Sequence, residues 1–274
     1  MDHLLRELAP ISEAGWKAIE EEANQRLTTY LAARKLVEFR GPSGWPHSAT
    51  ELGRVEPTPS PSEGVSAARR RVLSLVELRA QFMVSRAELE DAERGATDLE
   101  LDDLDGAAER IALGENIAVF HGYNAAGIEG ITKRSSHQPI TLDPDIQRYP
   151  NAMAKAVDVL RQSGVGGPYG LAVGPEDYTR IIETTEQGGY PLLDHLRQIL
   201  GSTVVWAPGI EGAVVLSLRG EGDFVFDCGQ DISIGYVDHD AHTVRLYFEE
   251  SFSFRVNEPD ASIALRMPSA SPVG

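Results

Sequence analysis

TDLELDDLDGAAERIALGENIAVFHGYNAAGIEGI, residues 97–131, is the stretch on which the fold turns. At about 100° per residue, Leu101, Leu104, Ala108, Ile111, Ala112, Ala118 and Val119 fall on one stripe, with Asp102, Asp103, Glu109 and Arg110 off it. This spacing predicts one long helix from about Leu101 to His121. Toward its C-terminal end, Leu113, Ile117 and Phe120 turn the other side apolar as well, so that end is expected to enter the middle of a domain. Gly106 and Gly114 each cost such a helix about 1 kcal/mol against Ala. Burial must outweigh that, and the other elements are expected to pack as layers on this spine.

Upstream, a short arm (1–12) ends at Pro10 and the candidate cap Ser12. An amphipathic helix follows from Glu13 to about Leu31, with Trp16, Ile19, Ala23, Leu27, Tyr30 and Leu31 on one stripe. Arg34 would continue that apolar stripe, an odd place for a charge. Lys35–Phe39 reads as a short strand ended by GPSGW (41–45). Residues 46–64 are rich in Pro, Ser and Glu, and PTPSPSEG (57–64) reads as an exposed tip. On the return, Val76, Leu78, Ala80, Phe82 and Val84 alternate with Glu77, Arg79, Gln81 and Met83, which predicts a half-buried strand. Strand, tip and returning strand make an arm that cannot be stable alone. The basic run Arg69–Arg71 reads as a solvated face of it. Ser85 and Glu88 form a capping-box pattern, and with Gly95 they bracket a helix of about ten residues.

Downstream of Ile131 the elements shorten. A helix around Ala152–Leu160, a buried strand Tyr169–Val173, and helices opened by Pro175 and Pro191 predict an α+β region, completed by strands at 203–207 and 213–218. The last quarter is β-rich. There Val244, Leu246, Phe248, Phe252, Phe254 and Val256 hold one register, with Glu250 its sole interruption. At about 3.3 Å per residue such a strand spans about 40 Å.

Composition narrows the function. The chain has 274 residues, 42% hydrophobic and 24% charged, with a net charge of -17. That charge argues against general nucleic-acid binding. The single cysteine, Cys228, suits a reducing cytoplasm and lies in an apolar strand, and no apolar run is long enough to span a membrane. Phosphate-loop and nucleophile-elbow motifs are missing. His239 and His242, with Asp238 and Asp240, form the one cluster resembling a metal site, and DHDAH is also ordinary turn chemistry. The acidic pairs Asp102/Asp103 and Glu249/Glu250 read as surface features, and no catalytic residue, metal or cofactor is expected.

Several stretches in order along the chain resemble the encapsulins, the linocin-type shell proteins of bacterial nanocompartments (family 1). They are LAPISEAGW (8–16), AARKLVEFRGPSGW (32–45), LVELRAQFMVSRAELEDAERG (75–95), FHGYNAAGIEGI (120–131), GPYGLAV (167–173), GGYPLLDHL (188–196), VVWAPGIEGAVVLSLRG (204–220) and GQDISIGYVDHDAHTVRLYFEESFSF (229–254). The resemblance implies the α+β fold of the HK97 phage capsid protein. Its divisions here would be an N-terminal arm and helix (1–46), an extended loop (47–80), a peripheral domain with the spine helix (81–131), an axial domain (132–222), a peripheral sheet (223–266) and a disordered tail (267–274). It also implies a closed icosahedral homo-oligomer, the smallest of about sixty copies (T=1). Inside would sit a cargo enzyme, a ferritin-like iron-storage protein or a dye-decolorising peroxidase, with a part in iron storage or oxidative stress. The cargo's C-terminal peptide would dock against Leu27, Leu31, Arg34, Glu38, Ile232, Ile234 and Tyr236, with Arg34 and Glu38 reading its polar groups. Glu186, Gln187, Gly188, Gly189 and Tyr190 would line a five-fold pore. Some relatives bind flavin on a Trp of the short capped helix; Ala87 stands there, so no flavin is expected. The alternatives are a prophage major capsid protein and, further off, a metalloenzyme using His239 and His242.

Overall fold

The computed structural model describes residues 3–186 and 188–268; Gln187 of the expected pore loop and residues 269–274 of the expected tail lie outside the described residues. In chain order the elements are α1 (Glu13–Tyr30), β1 (Glu38–Arg40), β2 (Ala49–Thr58), β3 (Ala67–Ser74), β4 (Val76–Ser85), α2 (Arg86–Arg94) and α3 (Asp102–Phe120). There follow α4 (Ile131–Arg134), β5 (Ile140–Thr141), α5 (Tyr149–Gln162), β6 (Tyr169–Val173), α6 (Pro175–Glu183), α7 (Leu192–Leu200), β7 (Val204–Trp206) and β8 (Ala213–Ser217). The chain closes with β9 (Phe224–Cys228), β10 (Ser233–His239), β11 (Thr243–Val256) and β12 (Ser262–Arg266).

The strand β11 organises the first sheet. Its length lets it hold different partners at its two ends. Val244 to Phe248 lie between β4 and β10, both antiparallel to it, and Phe252 to Val256 pair with β9. Parallel β1 completes the sheet beyond β9. The spine helix α3 packs across β4 and β11, with α1 alongside it. The stripe residues Leu101, Leu104, Ala108, Ile111, Ala112, Ala118 and Val119 are all buried. Each large apolar side chain buried there stabilises the fold by about 1.5–3 kcal/mol, which outweighs the two helix glycines. Gly114 also has a steric use: a Cβ there would come within 3.3 Å of Leu78 on β4. At the helix exit, a Cβ on Gly130 would lie 2.2 Å from the backbone nitrogen of Gly122, so only glycine lets the chain cross there.

The second sheet, in the order β5–β12–β8–β6–β7, carries α5 and α7 and has its own core, including Met153, Leu160, Leu171, Leu196 and Val215. The third sheet is only the hairpin β2–β3. Val55, Val65 and Val72 on it are exposed, and its root is fixed by a 2.8 Å bond between the hydroxyls of Thr50 and Ser253.

Several local expectations need correction. The strand expected over Lys35–Phe39 is a 3₁₀ turn at Ala33–Lys35 followed by β1, because the Asn116 side chain accepts the N–H groups of Ala32 and Ala33 at 3.0 and 3.1 Å and holds the backbone turned. The capping box before α2 does not close: the Ser85 side chain makes no cap bond, and Glu88 accepts the N–H of Glu100 at 3.0 Å instead. The C-terminal half of α3 is not apolar all round, since Ile117 is exposed and Glu115 and Asn116 are buried. Glu249 and Glu250, read as surface residues, are both fully buried. Cys228 is buried, and burial pushes its thiol up to about 12, which leaves it inert.

Candidate docking groove

Of the residues expected to line a groove between α1 and the sheet, the apolar ones lie together as a strip. Leu27 on α1, with Ile232 and Tyr236 on the strand side, packs half-buried on the core that contains Ile19, Phe82, Leu104 and Phe248. Ile234 lies deeper, at 6% exposure, and forms the floor. Leu31 is half-buried at the C-terminal cap of α1. The alternation of β10 sends residues 234 and 236 to one face, and Ile232, in the bend just before the strand, packs on the same core.

The two polar residues assigned to the groove are placed differently. Glu38 accepts from Arg40 Nε at 2.7 Å and from the Gly222 N–H at 2.5 Å, at the end of β9 remote from Asp231. The bond from Arg40 holds its carboxylate below the usual range. Arg34 turns into the protein. Its Nε donates to Glu115 at 2.7 Å, Nη1 to Asp231 at 2.5 Å and Nη2 to Glu250 at 2.9 Å. Its guanidinium also lies 5.0 and 5.3 Å from the ring centroids of Phe39 and Phe226. Burial opposes the charge, but the carboxylates of Glu115, Glu250 and Asp231 outweigh it and raise the Arg34 pKa. Of these three acids only Asp231 reaches solvent, at 47% side-chain exposure, so the groove's polar end is Asp231.

One cation thus faces two fully buried carboxyl groups and a third at the rim. Burial first, and then repulsion from Glu115, hold the Glu250 pKa well above the usual carboxyl value despite Arg34. Burial likewise raises Glu115, with Arg34 pulling the other way. The Oε1 atoms of both lack a hydrogen-bond partner among the described residues. Burial and the neighbouring Glu115 thus favour the protonated, uncharged form of Glu250. Because the folded-state pKa of Glu250 is raised, the native state binds this proton more tightly than the unfolded chain does. Stability is then lost as pH rises from the ordinary carboxyl value of 4.5 through the raised value. Glu250→Gln, which is uncharged at every pH, should flatten this slope and gain about 1–3 kcal/mol at alkaline pH. Thermal melts from pH 5 to 9 measure it, and an unchanged slope would rule out a raised Glu250 carboxyl.

Beside this cluster, Asn116 uses its full hydrogen-bonding capacity. Besides the two N–H groups of the turn, its Nδ2 donates to the carbonyls of Tyr30 and Pro208 at 2.9 and 3.1 Å. It ties the end of α1 to the spine. At the exit of α3, the Thr132 hydroxyl donates to Phe120 O, so His121 Nδ1 donates to Thr132 and Nε2 accepts from the Glu211 N–H. Burial lowers the His121 pKa and keeps the ring neutral. The described residues of the expected pore segment are tied into a turn. Glu186 N–H donates to Tyr190 O at 2.8 Å, Gly189 N–H donates to Glu186 O at 2.9 Å, and both Gly188 and Gly189 take the positive φ that the turn requires. The Glu186 carboxylate is held 2.9 Å from His195 Nδ1. His239 Nδ1 lies 2.6 Å from the Tyr236 hydroxyl, and among the described residues no group of three or more His, Cys, Asp or Glu side chains could hold a metal ion.

A family profile described as an encapsulating protein for peroxidase, Linocin_M18, matches residues 1–253. The type 1 encapsulin shell protein of Rhodospirillum rubrum is 46% identical over 272 residues, covering 97% of each chain. The chain belongs to the encapsulin family. The corresponding shell protein of Rhodococcus erythropolis is 43% identical over 265 residues, covering 97% of this chain and all of the relative. Among solved structures, a virus-like particle from Pyrococcus furiosus aligns with a TM-score of 0.66 at 15% identity, covering 91% of this chain and 98% of that one. The chain titled Mycobacterium phage Bobi aligns at 0.56 and 12%, covering 87% and 90%. Those likenesses speak for the fold, which is the HK97 capsid type. The encapsulin is a shell protein and not an enzyme, and it assembles with copies of itself. Among the described residues no helix is long and apolar enough to cross a membrane. Sequence reasoning missed Glu115, Asn116 and Glu250. The signals were a charge breaking the β11 register, polar residues between two apolar parts of the spine, and Arg34 on an apolar stripe.

Proposed function

We propose that this encapsulin encloses a cargo enzyme in a closed shell of about sixty copies, and that the cargo's C-terminal peptide docks between α1 and β10. The observation that carries this reading is the strip formed by Leu27, Ile232 and Tyr236 over the buried Ile234. Apolar side chains of an extended peptide fit such a strip, and the Asp231 carboxylate at its end suits a basic or N–H-bearing residue. Arg34 serves as a positioning residue that holds Asp231 in place. The family description favours a peroxidase as cargo, and a ferritin-like iron-storage protein is the other candidate; either gives the shell a part in oxidative stress or iron storage. The Thr185–Pro191 turn, with Glu186 and Tyr190, would then line a five-fold pore, the carboxylate favouring cations.

The test is Leu27→Asp, which puts a charge on the apolar strip while the side chain remains half-solvated. Shells should assemble at normal yield and co-purify with at least tenfold less cargo. Cargo retained at the wild-type ratio would remove α1 from the docking surface.

A further inference from the structure

Among the described residues, β10 has a strand neighbour, β11, on one side only. On its other edge the Tyr236 N–H donates to the carbonyl of Leu4 at 2.8 Å, and Leu4 is buried at 9% exposure. Before Leu4, the His3 ring stacks on Trp45 with centroids 3.9 Å apart, and its Nε2 lies 3.3 Å from the buried carboxylate of Glu249. After it, the Arg6 guanidinium sits 4.1 Å over the Trp16 ring and pairs with Glu20. Within four residues the arm thus delivers a ring, an apolar side chain, one backbone carbonyl to the β10 edge and a cation, each to a separate receptor on the body. Leu5, between them, has φ 52 and is the sole non-glycine residue with positive φ among the described residues. That is a strained conformation, which the arm relaxes on leaving.

The geometry points to the β10 edge as a receptor for an extended peptide from another chain, with the N-terminal arm as its resident and displaceable ligand. The resident shows the chemistry that fits: a ring or imidazole, then an apolar residue, then a cation two positions on. Glu20 supplies negative charge at the Arg6 end, whereas the buried Glu249 at the His3 end already accepts from Arg79, so a peptide with a cation two positions after its apolar residue is favoured. The partner is the cargo's terminal peptide. This rests on the docking reading above, because the edge continues the Leu27–Tyr236 strip. It adds that the arm closes the Tyr236 end of the strip and must leave before a longer peptide can lie along it. A tethered competitor acts at roughly millimolar effective concentration, so the arm sets a threshold that only a well-matched peptide passes.

The arm itself supplies the probe. A fluorescein-labelled synthetic peptide of residues 2–8 (DHLLREL) is added while shells are dissociated and reassembled, and retained label is read after gel filtration. Leu4→Asp shells, whose own arm no longer seats, should retain at least tenfold more label than wild-type shells. Adding Tyr236→Pro removes the donated N–H at an edge position that tolerates proline, and the label should be lost. Equal retention by wild-type and Leu4→Asp shells would show that the arm does not guard the edge. No retention by either would show that the edge takes only its tethered arm, and would equally overturn the proposal. If Leu4→Asp does not assemble, a chain beginning at Ala9 replaces it in the same measurement. In unmodified shells the Tyr236 amide should resist hydrogen exchange; exchange at the open-coil rate would overturn the arm's occupancy whatever the variants do. Cargo retained in Leu27→Asp shells alongside the expected peptide result would refute the groove and leave the edge standing.

Discussion

Arg34→Met should destabilise the subunit by about 3–5 kcal/mol, the range for breaking a buried ion pair from one side. Met keeps the apolar stem against Phe39 and Phe226 but removes the one cation facing Glu115 and Glu250, both fully buried. Water cannot replace it there. The loss is a large share of the 5–15 kcal/mol that holds a typical domain together, and it should lower the melting temperature by on the order of 10 °C. The triple variant Arg34→Met/Glu115→Gln/Glu250→Leu removes the charges together and should recover most of that stability, because a buried ion pair replaced by apolar or neutral groups of similar size is close to neutral. Urea or thermal unfolding of the three proteins decides the matter. A single variant that melts like wild type and assembles empty shells would return Arg34 to the role of a peptide reader.

That prediction also shows where sequence reading reached its limit. Periodicity exposed the spine helix, α1 and the long β11, because each buries one face and the 3.6- or 2-residue repeat records which face. Ile232, Ile234 and Tyr236 were legible for the same reason. The interior electrostatics were not. Glu115 and Glu250 are 135 positions apart in the chain, and each by itself looks like a residue that belongs in solvent. Only the fold brings them to one guanidinium. Their positions still carried a trace, since all three charges sit where the pattern calls for an apolar residue. An unexpected cation and two unexpected anions on buried faces are a reason to look for their pairing. The turn at Ala33–Lys35 had no such trace, because the side chain that imposes it, Asn116, comes from the spine helix. The N-terminal arm was equally silent: its seat is built by Trp45, Trp16 and the β10 edge, none adjacent to it in sequence.

The second large effect concerns assembly. Among the described residues the hairpin β2–β3 pairs with no third strand, and a two-stranded hairpin in water is marginal at best. Cross-strand pairing of Val55 with Arg70 puts Val55, Arg70 and Val72 on one face. Val55 and Val72 are 67% and 48% exposed in the single chain, so this face, which also carries Glu51 opposite Val72, has an apolar pair that none of the described residues of its own chain covers. The rest of the molecule is acidic, with a net charge of -17 for the whole chain. A basic–apolar hairpin projecting from an acidic body is complementary to the body of the next copy, which gives the repeated contact that a shell needs. The double variant Val55→Asp/Val72→Asp should therefore leave the subunit folded, with circular dichroism and melting like those of dissociated wild type, because neither side chain contributes to a core. Assembly should fail. Sedimentation should find a species near 29.8 kDa in place of shells. Adding salt should not rescue it, since the missing contact is apolar and not only electrostatic. Normal shells from the double variant would mean that the hairpin's other face, with Arg69 and Arg71, makes the contact, and the substitutions would then move to those two arginines.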